Sequence, residues 1–241
     1  RAHNERMLAG FGYPVKREGN KATITANGKL TGAEIDVPSD ISSAAFFLVG
    51  ASIAEGSDVL LKHVGINPTR TGVIDILRLM GANIEVLNQR EVGGEPVADL
   101  HVKASALSGI DIPEALVPLA IDEFPVLFVA AACAKGRTRL SGAKELRVKE
   151  SDRIQVMADG LKILGVDAEP TEDGMIINGS SIGGGTVESH GDHRIAMAFS
   201  IAGLKATAPI TILDCENVNT SFPEFKDIAV QLGLSLVCLE G

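Results

Sequence analysis

Three times along this chain an Asp opens an apolar run and, a nearly fixed distance later, a Gly closes an amphipathic one. The openings are Asp40 in DVPSDISSAAFFLVGASI, Asp122 in LAIDEFPVLFVAAACA and Asp192 in SHGDHRIAMAFSIAGL. The closures are Gly81 in LRLMGANIEV, Gly165 in LKILGVDAEP and Gly233 in AVQLGLSLVC. The separations of 41, 43 and 41 residues are too constant for coincidence. Such self-similarity marks one supersecondary unit used repeatedly, because a single copy cannot bury its own apolar face.

The opening runs carry no polar stripe, so each reads as a helix buried on nearly every side. By contrast Ile154, Met157, Leu161 and Leu164, and again Phe225, Ile228 and Leu232, recur at the spacing of a one-faced helix. Between them lie short β-branched segments bounded by Gly, Pro and Asn: EIDVP, SDVLLKHV, NIEVL, ADLHVKA, TRLSG, DGMIING and PITILDC. The pattern predicts an α/β (α+β) domain over 37–241 of three βαβαββ units, about 37–105, 106–180 and 181–241, the last abbreviated. The three apolar helices belong in the centre and the sheets outside. Residues 1–36 give a helix (NERMLAGFG) and strands near Val15–Arg17 and Ala22–Ala26, the tail of one further copy. With Arg1-Ala2-His3-Asn4 at the start and no initiator Met, the expectation is a preceding, mostly absent domain built from the same unit.

Composition narrows the function. A net charge of −9, no Trp and the lone Tyr13 leave neither the basic surface nor the stacking rings of a nucleic-acid binder. The longest uncharged apolar run, Phe124 to Ala134, is about half of a bilayer-spanning helix, so no membrane partner is expected. Cys133, Cys215 and Cys238 are odd in number and lack metal-ligand spacing, which suits reduced thiols in the cytoplasm. No targeting segment is legible.

The densest chemical signal is Lys144-Glu145-Leu146-Arg147-Val148-Lys149-Glu150-Ser151-Asp152-Arg153. Lys149 and Arg153 stand four apart, a spacing that puts two cations on one face of a helix start, where free N–H groups also favour an anion. A solvated helix start, with Glu145 pairing Lys149 and Ser151 or Asp152 as cap, accounts for the same residues. Asp122 and Glu123 head the most apolar helix, where a carboxylate needs a partner or a shifted pKa and so suits a general base; a plain helix cap is the alternative for Asp122. In His190-Gly191-Asp192-His193-Arg194 two imidazoles flank a carboxylate, but no third ligand cluster has metal spacing. Arg194 in the first helical turn suits an anion, with His193 orienting a neighbour. Gly183-Gly184-Gly185 lacks a nucleotide-binding pattern, and Asn67-Pro68-Thr69-Arg70-Thr71-Gly72 reads as a loop and helix start with Arg70 unassigned.

The strings DISSAAFFLVGASI, NPTRTG, IDEFPVLFVAAACAKG, ELRVKESDRI, HGDHRIAMAFSIAGL and TSFPEF, in this order, resemble the 5-enolpyruvylshikimate-3-phosphate synthase family from Arg1 to about Leu236. The resemblance implies the carboxyl-terminal domain of a two-domain enolpyruvyl-transferase fold, with helix starts aimed into the cleft between domains. It implies transfer of the enolpyruvyl group of phosphoenolpyruvate to the 5-hydroxyl of shikimate 3-phosphate, in aromatic amino-acid biosynthesis, with no metal or cofactor. By resemblance Asp122 is the base for the hydroxyl, Glu150 the carboxyl near the methylene carbon, and Lys149 a contact to shikimate 3-phosphate. Arg153 and Arg194 clamp phosphoenolpyruvate, and Arg1 stands where some relatives contact the shikimate phosphate.

The chain also departs from the family. Thr220-Ser221-Phe222-Pro223 offers no Lys where some members carry one, and Glu145 stands where some have an amide. The family's upstream residues, a Lys-Ser pair, a Gly-rich loop, an Arg and a Ser-Ser-Gln-like cluster, are absent, so the chain alone is expected to be inactive. Two other readings compete. One is a UDP-N-acetylglucosamine enolpyruvyl transferase-like domain, disfavoured because no Cys stands where that family has its reactive thiol. The other is a non-catalytic repeat-built binding domain, which requires no convergence of Lys149, Arg153 and Arg194.

Overall fold

Each predicted opening helix forms and sits at the centre. In the computed structural model, which describes residues 3–19 and 21–239, α1 (His3–Gly10) and the hairpin β1 (Val15–Glu18) and β2 (Lys21–Ile24) precede the first copy. That copy runs α2 (Ile41–Ile53), β3 (Asp58–Gly65), α3 (Gly72–Leu79), β4 (Asn83–Val92) and β5 (Glu95–Lys103). The second runs α4 (Phe124–Cys133), β6 (Arg137–Leu140), α5 (Arg153–Ile163), β7 (Asp167–Pro170) and β8 (Met175–Asn178). The third has β9 (Gly185–Glu188), α6 (His193–Ala202), β10 (Ile210–Leu213), α7 (Val218–Ser221) and α8 (Phe225–Gln231).

The sheets repeat one topology. In order they read β3-β5-β4 and β6-β8-β7, antiparallel throughout, while β9 and β10 pair in parallel. The first strand of copies one and two shrinks to parallel bridges, Ser39 to Val64, and Ser108 and Asp111 to Lys135 and Arg139. EIDVP is therefore not a strand, contrary to its sequence pattern. Pro38 has no N–H to give a ladder, Val37 is exposed, and pairing starts only at Ser39, whose N–H donates to the His63 carbonyl at 2.8 Å. Strands β7 and β9 and the 107–112 edge were not legible from β-branched runs.

The repeat's glycines close each second helix in the same way. Gly81, Gly165 and Gly233 have φ of 97°, 83° and 100°, the left-handed region where a Cβ is strained. In each, the next residue's N–H reaches back into the helix: Ala82 to Leu77, Val166 to Leu161 and Leu234 to Ala229. The inward face of α8 is Phe225 and Ala229, followed beyond Gly233 by the buried Leu234, whereas Leu232 is exposed.

Helices α2, α4 and α6 form the core, with α5 packed on α6 so closely that Gly160 has no room for a side chain. A Cβ there would lie 2.2 Å from Phe199 Cζ. Gly160→Ala is expected to gain helix propensity yet lose about 1–3 kcal/mol through overpacking, read as a lower urea midpoint at unchanged m-value. No helix among the described residues is long and apolar enough to cross a membrane.

Candidate active site

The acids that open the central helices do not play one role. Asp40 and Asp192 cap α2 and α6, accepting from the N–H of Ser43 and of Arg194 at 2.9 and 3.0 Å. Asp122 does not cap α4, because the residue three places on is Pro125, which has no N–H to offer. Instead Ile121–Glu123 form a 3-10 turn, and its two acids serve different neighbours.

Asp122 faces the second and third copies. Its Oδ1 lies 3.2 Å from Lys149 Nζ and 3.9 Å from an Arg153 terminal nitrogen, and its carbonyl accepts from the Arg194 guanidinium at 3.3 Å. Lys149 is not on the α5 face, as the four-residue spacing suggested. Its backbone is extended after a 3-10 turn, Lys144–Val148, and the helix begins only at Arg153, behind the Asp152 cap. The two cations nevertheless converge, since both reach Asp122. Lys149 also pairs with Glu145; burial pushes its ammonium pKa down, but Glu145 and Asp122 outweigh that and hold it above the ordinary value.

Arg153 is 1% exposed, with Nε and one terminal nitrogen hydrogen-bonded. It donates to Asp192 at 2.8 and 3.2 Å and to Glu150, whose side chain is half exposed. Ser151 Oγ donates to Asp192 at 3.0 Å. Burial pushes the Asp192 carboxyl pKa up, but the Arg153 bonds and charge, the Arg194 N–H and Ser151 more than reverse it, leaving it below the usual carboxylate range. His193, first in α6, has a lowered pKa because of its burial and the adjacent Arg194 charge, so it is a neutral imidazole near pH 7. Among the described residues Arg194 forms no ion pair. Arg1 lies outside the described residues. No group of three His, Cys, Asp or Glu among the described residues could hold a metal ion.

Glu123 faces the first copy. It is 3% exposed, accepts from Ser42 Oγ, and lies 3.8 Å from Arg70, which itself donates to Ser42 Oγ. Burial raises its pKa above the ordinary carboxylate value, Ser42, Arg194 and Arg70 reversing only part of that. Sequence reasoning flagged Glu123 but left Arg70 unassigned and did not single out Ser42. The repeat itself held the signal: Arg70 precedes α3 as Arg153 opens α5, and each reaches the acid heading the next copy's central helix. The third copy has Phe222 at that place, and Phe222 and Phe225 close the circle against Phe46 and Phe47 of α2, with ring centroids 5.8–6.2 Å apart.

Comparison with known proteins fits this geometry. The family described as EPSP synthase (3-phosphoshikimate 1-carboxyvinyltransferase) matches residues 1–228. Curated 3-phosphoshikimate 1-carboxyvinyltransferases from Alkalilimnicola ehrlichii and Methylococcus capsulatus are 70% and 68% identical, each over 98% of this chain but 53% and 54% of their own length. The chain thus spans about half the length of the curated relatives it matches. A solved EPSP synthase from Acinetobacter baumannii superposes with a TM-score of 0.95 at 63% identity, covering 97% of this chain and 55% of that one. The enolpyruvyl transferase NikO from Streptomyces tendae shares the fold at a TM-score of 0.72 and 15% identity, over 94% of this chain and 51% of its own. Shikimate-type motifs, fold and sequence agree: the chain belongs to the EPSP synthase (3-phosphoshikimate 1-carboxyvinyltransferase) family.

Proposed function

We propose that residues 37–241 are the carboxyl-terminal domain of an enzyme that transfers enolpyruvyl from phosphoenolpyruvate to the 5-hydroxyl of shikimate 3-phosphate, releasing phosphate, in the cytoplasm. Residues 1–36 are then the tail of the partner domain. The observation that carries the reading is the gathering of Lys149, Arg153 and Arg194 around Asp122 at three helix starts.

The reaction needs a base for the attacking hydroxyl, a proton for the vinyl methylene, and cations for phosphate and carboxylate groups. Asp122 takes the hydroxyl proton, and Lys149 binds shikimate 3-phosphate beside it. Arg194 and Arg153 hold phosphoenolpyruvate, with the guanidinium fork matched to a carboxylate, and His193 orients Arg194. Glu150 supplies a proton to the methylene carbon as the hydroxyl oxygen bonds the neighbouring carbon, and takes one back from the resulting methyl as the bond to phosphate breaks, which restores the double bond. Because Glu150 is one of the acids on Arg153, an arriving carboxylate competes with it and releases its carboxyl.

The test is an NMR titration of the chain with phosphoenolpyruvate and shikimate 3-phosphate. Expected are amide shifts confined to Lys149–Arg153 and Asp192–Arg194, lost in Lys149→Ala and Arg194→Ala. The chain alone is expected to turn nothing over, and activity should appear when it is joined to the portion of the Alkalilimnicola ehrlichii relative that it does not cover. A chain silent at millimolar ligand, with no turnover from the joined protein, would overturn the reading.

A further inference from the structure

We propose that Glu123 is a positioning residue for this reaction: gripping Ser42 and Arg70 of the first copy, it fixes the 3-10 turn that aims Asp122 at Lys149 and its carbonyl at Arg194. The inference rests on the proposed function and adds a residue to it.

Geometry supplies the argument. At α2 and α6 one Asp both opens the helix and is locked by its own capping bond. At α4, Pro125 leaves no such bond, and neither Asp122 nor Glu123 caps the helix through its side chain. Backbone bonds at the turn include Ala120 N–H to the Val117 carbonyl at 3.2 Å and Glu123 N–H to the Ala120 carbonyl at 3.0 Å. Asp122 is consequently available to the site, and the side chain that anchors the turn is the next one. Glu123 carries its carboxylate into a buried bridge made by Ser42 on α2 and Arg70 ahead of α3. In this way the first copy, through Ser42 and Arg70, sets where the base stands.

A buried acid of this kind is a poor stabiliser. Desolvation raises its pKa, and replacing a buried ion pair as a whole by apolar side chains is often neutral or stabilising for the fold. Its role in placing Asp122 accounts for an acid there. A displacement of about 1 Å at a reacting group can cost on the order of a hundredfold in rate, which sets the size of the effect.

The experiment compares Glu123→Met and Glu123→Gln in the joined enzyme, with thermal unfolding and steady-state kinetics on both. Glu123→Met should remain folded, unfolding somewhat below the parent's temperature because Arg70 loses one of its two acids, yet lose about 10–100-fold in kcat with KM for phosphoenolpyruvate nearly unchanged. Glu123→Gln retains the oxygen that accepts from Ser42 and should recover kcat to within about threefold of the parent. If Glu123→Met does not fold, Ser42→Ala, which deletes only the donor, should show the same split between kcat and KM at smaller amplitude. Parent-like kcat in a folded Glu123→Met, or equal losses in Met and Gln variants, would overturn the proposal. A separate readout covers the case in which the unmodified joined enzyme has no activity and the function itself is wrong. The Nε–Hε resonance of Arg194 in the 241-residue chain should move in Glu123→Met and hold in Glu123→Gln, and an unmoved resonance would again overturn it.

Discussion

Asp192→Ala is expected to cost the fold about 3–5 kcal/mol, the largest loss from any single side chain at the site. Arg153 and Asp192 are 1% and 0% exposed, so deleting the acid leaves a buried guanidinium with the half-exposed Glu150 and, at 3.9 Å, Asp122. About 1 kcal/mol of that loss belongs to the helix cap on Arg194 N–H, and Asp192→Asn, which keeps a capping oxygen, should return that part only. Urea unfolding of the three proteins measures both. Acid supplies an independent check with a definite sign. A carboxyl whose folded pKa lies below its unfolded one contributes stability that is present above the unfolded pKa and lost as pH falls through the folded one. Below about pH 4, where an unperturbed Asp protonates, the parent should lose this share while Asp192→Ala has none to lose. Glu123, with a raised pKa, works oppositely: its favourable share is full below its unfolded pKa and disappears as pH rises through the folded one. Stability curves that run parallel for parent and Asp192→Ala would show that the Arg153 pair does not govern acid unfolding.

Asp122→Ala should lower kcat of the joined enzyme about 10²–10⁴-fold, the range spanned by a general base. Its carboxylate makes no helix cap, and Lys149 keeps Glu145, so the unfolding temperature should hardly move. The loss should also be stronger in kcat than in KM, since removal of a proton acceptor is felt where the hydroxyl reacts. Undiminished turnover would move the base elsewhere.

What could be read from the sequence was what local spacing controls. Central helices, amphipathic second helices and left-handed closing glycines each depend on a few neighbouring residues, and the repeat printed them three times. Strand one of each copy is held by backbone bonds across the sheet, so residues 107–112 carry no side-chain pattern to betray it and EIDVP carries a misleading one. Within the site, the gathering of Asp122, Lys149, Arg153 and Arg194 could be anticipated from resemblance, but the path was misjudged: Lys149 arrives from an extended segment rather than along a helix. Asp122's freedom from capping was legible in Pro125, three residues ahead. Arg70 and Ser42 went unnoticed because each looks ordinary in its own loop, and only alignment of the copies pairs Arg70 with Arg153.

That alignment also shows three joints, two of Arg with a carboxylate and one of aromatic rings. Copy one meets copy two through Arg70 and Glu123, and copy two meets copy three through Arg153 and Asp192. Copy three returns to copy one through four phenylalanines. Apolar contact weakens on cooling, whereas an ion pair fails when its acid is neutralised. Chilling should therefore loosen the join of copy three to copy one, and acidification the Arg153–Asp192 join of copies two and three, leaving partly parted forms that share the central helices but differ in which neighbour has let go.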